Sequence, residues 1–166
     1  MNINEAYEQL DNWIEKSQGT LIDISLPHKY SFSRVESFSE EALLSFESKN
    51  DIKLPIEYRE FLKRVGSVDI LSTEKTAGIE ILSPYVIRGF SKEVFDNAGD
   101  DLYPDLLLMT SMPKTGDVGG FWMKGNCIQN YGIFYPEIPP EFWIEDTEFT
   151  TFNDWFIELI EEKMNV

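Results

Sequence analysis

A catalytic centre built on a thiol or an imidazole would have to use Cys127 or His28, and each type occurs once among 166 residues. A Ser-His-Asp or Cys-His centre would have to use His28, which stands between Pro27 and Lys29 in a loop-like stretch from Pro27 to Ser33. A surface histidine is the expectation there. Cys127 sits between Asn126 and Ile128 in an expected strand and reads as a small core residue. One cysteine excludes an internal disulfide, and one Cys with one His cannot make a Cys/His zinc site. The run Thr115-Gly116-Asp117-Val118-Gly119-Gly120 has the glycines of a phosphate loop. It lacks the Gly-Lys-Ser/Thr ending and the dinucleotide spacing, and no helix pattern follows it. A turn feeding a hairpin is expected instead. Carboxylates are numerous enough for a two-acid hydrolase, but no twelve-residue calcium pattern and no catalytic motif is present. No cofactor is expected.

Charge narrows the partners. Thirty acids against fourteen bases give −16 and a pI near 4.3. Phosphate backbones and anionic membrane surfaces are repelled by such a chain, so neither nucleic acid nor membrane is an expected partner. A basic protein fits better. The N-terminus has neither basic start nor apolar run, and the longest strongly apolar stretch is Leu106 to Met109. These features lead to the expectation of a cytoplasmic domain with a reduced cysteine.

Half of the net charge lies in the last thirty residues. From 137 to 166 there are nine acids and one base, for −8, whereas residues 51–100 hold nine acids and seven bases. Inside the acidic segment stand Pro139-Pro140 and the aromatics Phe142 and Trp143. Aromatics among acids, held by prolines, suit an interface for a basic partner. Glu137, Glu141, Phe142, Trp143, Glu145 and Asp146 are therefore the candidate partner-binding residues. The alternative is that Phe142 and Trp143 belong to the core and the acids are simply solvated.

The elements that would position these residues follow from periodicity. Asn2 and Glu5 form a capping-box pattern before Ala6, Tyr7, Leu10, Trp13 and Ile14, one apolar stripe ending near Gly19. Thr20 to Ile24 reads as a short strand. A second helix begins near Ser37 or Ser39, buries Leu43, Leu44 and Phe46, and ends at Asn50-Asp51. A third has Pro55 in its first turn, Tyr58, Phe61, Leu62 and Val65 on one face, Lys63-Arg64 in its last turn, and Gly66 as its stop. Strands are expected at Val68–Leu71, Ile79–Leu82, Leu106–Thr110, Phe121–Met123, Cys127-Ile128 and Ile133–Tyr135, with a hairpin turn at Lys124–Asn126. Ser91 is the expected cap of a short helix through Val94, Phe95 and Ala98. A last helix opens near Thr150 or Thr151 and carries Phe152, Trp155, Phe156, Leu159 and Ile160. Helices, then strands, then a helix is an α+β order: one domain over residues 1–166, its helices packed on a multistranded, mostly antiparallel sheet.

The stretch Leu54-Pro55-Ile56-Glu57-Tyr58-Arg59-Glu60-Phe61-Leu62-Lys63-Arg64-Val65-Gly66 resembles the SMI1/KNR4 family of the SUKH superfamily. So do Ile79–Leu82 after Gly78, the Gly116–Trp122 run, and Thr151–Phe156 with Leu159. The resemblance spans residues 35–160 and implies the same α+β fold. Many bacterial relatives of that family look like immunity proteins that bind and neutralise a cognate toxin, often a nuclease. The resemblance therefore implies a non-enzymatic protein-binding domain, with Leu54, Pro55, Tyr58 and Phe61 in structural roles. A regulatory scaffold of the same fold that binds an endogenous partner, and a small carboxylate-based hydrolase, are the rival expectations.

Overall fold

The first helix, α1 (Ile3–Ser17), starts where the capping pattern puts it. The Glu5 amide donates to Asn2 Oδ1 at 3.0 Å and the Asn2 amide donates to Glu5 Oε2 at 2.7 Å. Its whole apolar stripe is buried. The structure is a computed structural model that describes residues 1–25, 28–125 and 127–164.

Seven strands follow in one sheet: β1 (Ile22–Ser25), β2 (His28–Glu36), β3 (Ser67–Ser72), β4 (Ile79–Ile81), β5 (Leu106–Met112), β6 (Asp117–Trp122) and β7 (Tyr131–Phe134). Each strand pairs antiparallel with its sequence neighbour, so the spatial order is the chain order. Helices α2 (Glu40–Asn50) and α3 (Ile56–Arg64) are inserted between β2 and β3, α4 (Ile87–Phe95) between β4 and β5, and α5 (Trp143–Asp146) and α6 (Phe152–Met164) follow β7. The fold is α+β, as the element order predicts.

The sheet separates two cores. On one face α1, α2, α3 and α6 bury Tyr7, Leu43, Tyr58, Phe61, Phe152 and Phe156 against Phe32, Val68, Ile70, Ile81 and Tyr131. The Phe61 ring meets Phe152 at 5.5 Å and Phe156 at 5.3 Å, both edge-on, the arrangement ring quadrupoles favour. The three α3 positions at helical spacing, Tyr58, Phe61 and Leu62, are all buried. On the other face α4 and α5 cover the β5–β7 half, where Phe95, Leu106, Leu108, Val118, Phe134 and Trp143 form a smaller core.

One register row shows the division of that second face. Ser33, Asp69, Glu80, Ser111, Val118 and Phe134 stand opposite one another across β2 to β7. Side chains directly opposite share a face. The row is polar on β2–β5 and apolar on β6–β7, where the α4/α5 layer lies.

Several local expectations are corrected. His28 opens strand β2 instead of a loop, though it is exposed as expected. Residues 28–33 are strand because Phe32 alternates into the core, while Pro27 lies outside the described residues. Leu44 is exposed; only Leu43 and Phe46 face inward on α2, and Ser39 is its cap, accepting from the Ala42 amide. Pro55 is the cap of α3 and sits just before its first turn. Ser91 is a buried residue inside α4, whose start comes earlier, at the Pro84–Val86 turn capped by Ser83. Cys127 and Ile128 form no strand, and both are exposed. The connection from β6 to β7 runs over residues 123–130, longer than a tight hairpin, and Asn126 of the expected turn lies outside the described residues. Gly116, at φ +80°, makes the β5–β6 turn, but Gly119 and Gly120 lie in β6 itself. A Cβ on Gly120 would collide with the Leu107 carbonyl, so the glycine there permits close strand approach.

Candidate partner-binding site

The acidic segment leaves the sheet at the end of β7. Its backbone turns through Pro139 and a single 3-10 turn, Pro140–Phe142, whose φ-restricted prolines fix the direction of the chain. The one-turn helix α5 follows. An extended stretch then returns to β7, where Thr150 and Tyr131 exchange backbone hydrogen bonds of 2.8 and 2.9 Å before α6 begins.

Trp143 fastens this loop. It is 4% exposed, its ring stacks on Phe134 at 5.0 Å, and Phe95 lies 6.0 Å away. Its indole N–H donates to the Ile138 carbonyl at 2.8 Å and leans on the Tyr135 carbonyl at 3.3 Å. A buried indole needs such an acceptor, and here the acceptors belong to the loop it pins. Of the two readings open from sequence, the core reading is correct for Trp143, which therefore cannot be an accessible anchor for a partner. Phe142 differs: it is 45% exposed, and Tyr135 nearby in sequence is also exposed.

Glu137, Glu141, Glu145 and Asp146 are all exposed, as is Glu148. Among the described residues none of these five carboxylates forms an ion pair. Behind them a groove of about 380 Å³ runs between β7 and the returning stretch, lined by Ile133, Tyr135, Ile138, Asp146, Glu148 and Trp155 among others. The arrangement offers two exposed aromatics and a set of unpaired negative charges on a loop pinned to a core. Its chemical groups are carboxylates and aromatic rings, and neither Cys127 nor His28 belongs to it. It suits recognition of a positively charged surface.

A larger cavity, about 950 Å³, opens between the β3–β4 and β5–β6 turns and the end of α6. His28, Lys29, Lys75, Lys114 and Lys163 line it together with Glu74, Asp117 and Glu162, a mixed rim in which no ion pair joins these residues among the described ones. Among the described residues no group of three or more His, Cys, Asp and Glu converges as metal ligands would. No described helix is long and apolar enough to cross a membrane. Asp69 and Glu80 are the two carboxyls raised above their ordinary range, in both cases first by partial burial. They face each other on an open sheet surface, and neither lines the cavities of about 950, 520 and 380 Å³. A hydrolytic pair needs a cleft that holds substrate and excludes bulk water.

Comparison with known proteins decides the kinship. The immunity protein RhsIB of Dickeya dadantii (strain 3937) is 56% identical to this chain over 163 residues, which is 98% of this chain and 98% of that protein. The chain belongs to the RhsIB immunity-protein family. No family model matches it. The RhsIB kinship covers the whole α+β unit, so the acidic loop, both cores and the half-covered sheet face all fall within the shared length. Sequence reading reached the loop through its charge. It missed that Asp69 and Glu80 are neighbours in this RhsIB-family fold, since only strand register joins two acids eleven positions apart. The visible signal was an acid flanked by isoleucine or valine in each of two short strands, Val68-Asp69-Ile70 and Ile79-Glu80-Ile81.

Proposed function

We propose that this chain is an immunity protein: a non-enzymatic domain that binds a cognate toxin in the cytosol and neutralises it. The observation that carries the proposal is the 56% identity to RhsIB along nearly the full length of both chains. A likeness of that extent supports a shared fold, and the unpaired acids of residues 137–148 supply a means of binding.

The partner is a basic protein, and a nuclease is the toxin class that fits best. A nuclease surface is built to attract phosphate, so an acidic protein can occupy or shield it. The exposed Phe142 and the carboxylates of Glu137, Glu141, Glu145 and Asp146 form the contact region of this proposal, with Trp143 beneath them as its support. The domain as a whole, residues 1–166, is read as a single unit of the SMI1/KNR4 kind, on the residue resemblances at 54–66, 79–82, 116–122 and 151–159.

The test is co-expression with the product of the neighbouring gene, where that product arrests growth when expressed alone. Rescue of growth and co-purification of the two proteins are expected. Growth inhibition that this protein leaves unrelieved, with no complex recovered, would overturn the proposal in favour of a scaffold for an endogenous partner.

A further inference from the structure

The second face of the sheet is half finished. Over β5–β7 it carries α4 and α5 on an apolar floor. Over β2–β4 no described helix belongs to a core on that face, the register row presents Ser33, Asp69 and Glu80, and Val35 follows two residues after Ser33 at the β2 bulge. Val35 is 63% exposed, and Asp69 is exposed between Val68 and Ile70, both fully buried in the opposite core.

Asp69 and Glu80 are directly opposed across β3 and β4. Like charges in that position work against the sheet that holds them. Partial burial raises both carboxyls above the ordinary carboxylate range, and the charge of Asp69 raises Glu80 further, while the Ser111 hydroxyl acts the other way by hydrogen bonding to it. No cation among the described residues makes an ion pair with either. Opposed carboxylates without a cation, on a sheet face without a covering layer, mark a surface whose complement is missing.

We propose that this uncovered β2–β4 surface, centred on Asp69 and Glu80 with Val35 beside them, is where a segment of the cognate toxin bearing lysine or arginine docks. The inference rests on the immunity function proposed above and adds the place of tight contact. A guanidinium or ammonium group set between the two carboxylates would turn their repulsion into attraction. Trp143 stacks on Phe134, a member of the same register row, so the acidic loop stands on the same side of the sheet. The loop acids then steer the toxin in, and the sheet surface holds it.

Surface plasmon resonance against the purified toxin that this protein neutralises in the co-expression test measures this, with thermal melts of each variant alone. Asp69→Asn with Glu80→Gln keeps the shape and removes both charges. Its complex should dissociate ~30-fold faster or more, as loss of a desolvated charge contact does. Its melting temperature should hold or rise, because an opposed like-charge pair is gone. Val35→Arg, a change at an exposed site, should also shorten residence. Wild-type binding with both variants within twofold of it would overturn the docking surface and leave the immunity function standing. A lowered melting temperature for the neutral double variant would also overturn it, by making the pair structural. Failure of the wild-type protein to bind would overturn the immunity function and this inference with it.

Discussion

Acids near the N-terminal helices and acids after β7 have opposite surroundings. Asp11 meets both Arg34, at 2.9 Å, and Arg64. Glu47 and Glu40 each meet Arg59 at 3.0 Å, and Glu40 also takes Lys63 at 3.0 Å. The Arg59 and Lys63 contacts hold the Glu40 carboxyl below its ordinary range. With Arg88 bound to Asp101 at 2.7 Å, all four arginines of the chain are committed to its own carboxylates. Between residues 137 and 148 the carboxylates have no such partners among the described residues. The same side chain thus ties elements together in one region and is left free in the other. Net charge alone cannot distinguish the two uses; the placement of arginine can.

The comparison breaks first at its supports. Trp143→Ala should cost about 3–5 kcal/mol, the range for deleting a large buried ring, and Phe61→Ala should cost a similar amount in the opposite core. Urea unfolding measures both. If Trp143→Ala left stability unchanged while abolishing partner binding, the indole would be a contact residue after all.

A smaller effect is expected where an acid serves as a cap. The Asn153 amide donates to Glu57 Oε2 at 2.7 Å, so a carboxylate of α3 satisfies the start of α6. Such a carboxylate also suits the positive end of the helix dipole. Glu57→Ala should lower stability by about 1 kcal/mol, the usual cost of a lost cap, and Glu57→Gln should recover part of it. Equal melting curves for all three proteins would show the contact to be idle.

Acidification should separate the paired from the opposed carboxylates by sign. Glu40 has a lowered folded-state pKa, so its contribution is present above its unfolded pKa and is lost as pH falls through the folded one. Asp69 and Glu80 have raised folded-state values, so the folded state binds their protons more readily. Their penalty is full at neutral pH and is relieved as pH falls through the folded values. Relative to wild type, Glu40→Gln should therefore flatten the loss of stability on acidification. Asp69→Asn with Glu80→Gln should be most stabilising near neutrality. Denaturation midpoints recorded across the carboxylate titration range decide this, and parallel curves for the two variants would refute it.

The smallest change in stability belongs to the free acids. Glu141→Lys with Glu145→Lys should shift stability by no more than about 0.5 kcal/mol, the range for exposed sites. The same variant should slow association with a basic partner and flatten its salt dependence. Association rates that ignore the reversal would remove this loop from the encounter.

Much of the architecture was legible because its signals are local. The Asn2–Glu5 cap, the Tyr58/Phe61/Leu62 spacing and the Phe152–Ile160 stripe each occupy one element, and each is buried as its period demands. Misreadings occurred where an element depends on a distant partner. Cys127-Ile128 has strand-like residues but no neighbour to pair with in that long connection. Leu44 is apolar on a helix whose inward face needs only Leu43 and Phe46. Ser91 has the residue type of a cap, but Ser83 and Pro84 start that helix earlier. For the site, charge revealed the loop, yet the choice between a buried and an exposed Trp143 depended on carbonyls at Tyr135 and Ile138. The opposition of Asp69 and Glu80 needed the register of two strands.

A sheet in which every strand pairs only with its sequence neighbour can zip and unzip from either end, one hairpin at a time. Nothing in such a ladder makes β1 aware of β7. Here the two outermost helices supply that link. Tyr7 of α1 meets Phe156 of α6 at 5.9 Å and Phe61 of α3 at 6.1 Å, and α6 also contacts β1. The first and last helices close over the meander like a clasp, so fraying one edge strand means opening a core shared by the whole chain. Cooperativity in this protein is therefore a property of the clasp more than of the sheet, and amides of β1 and β7 should exchange with solvent together, at the rate of global opening.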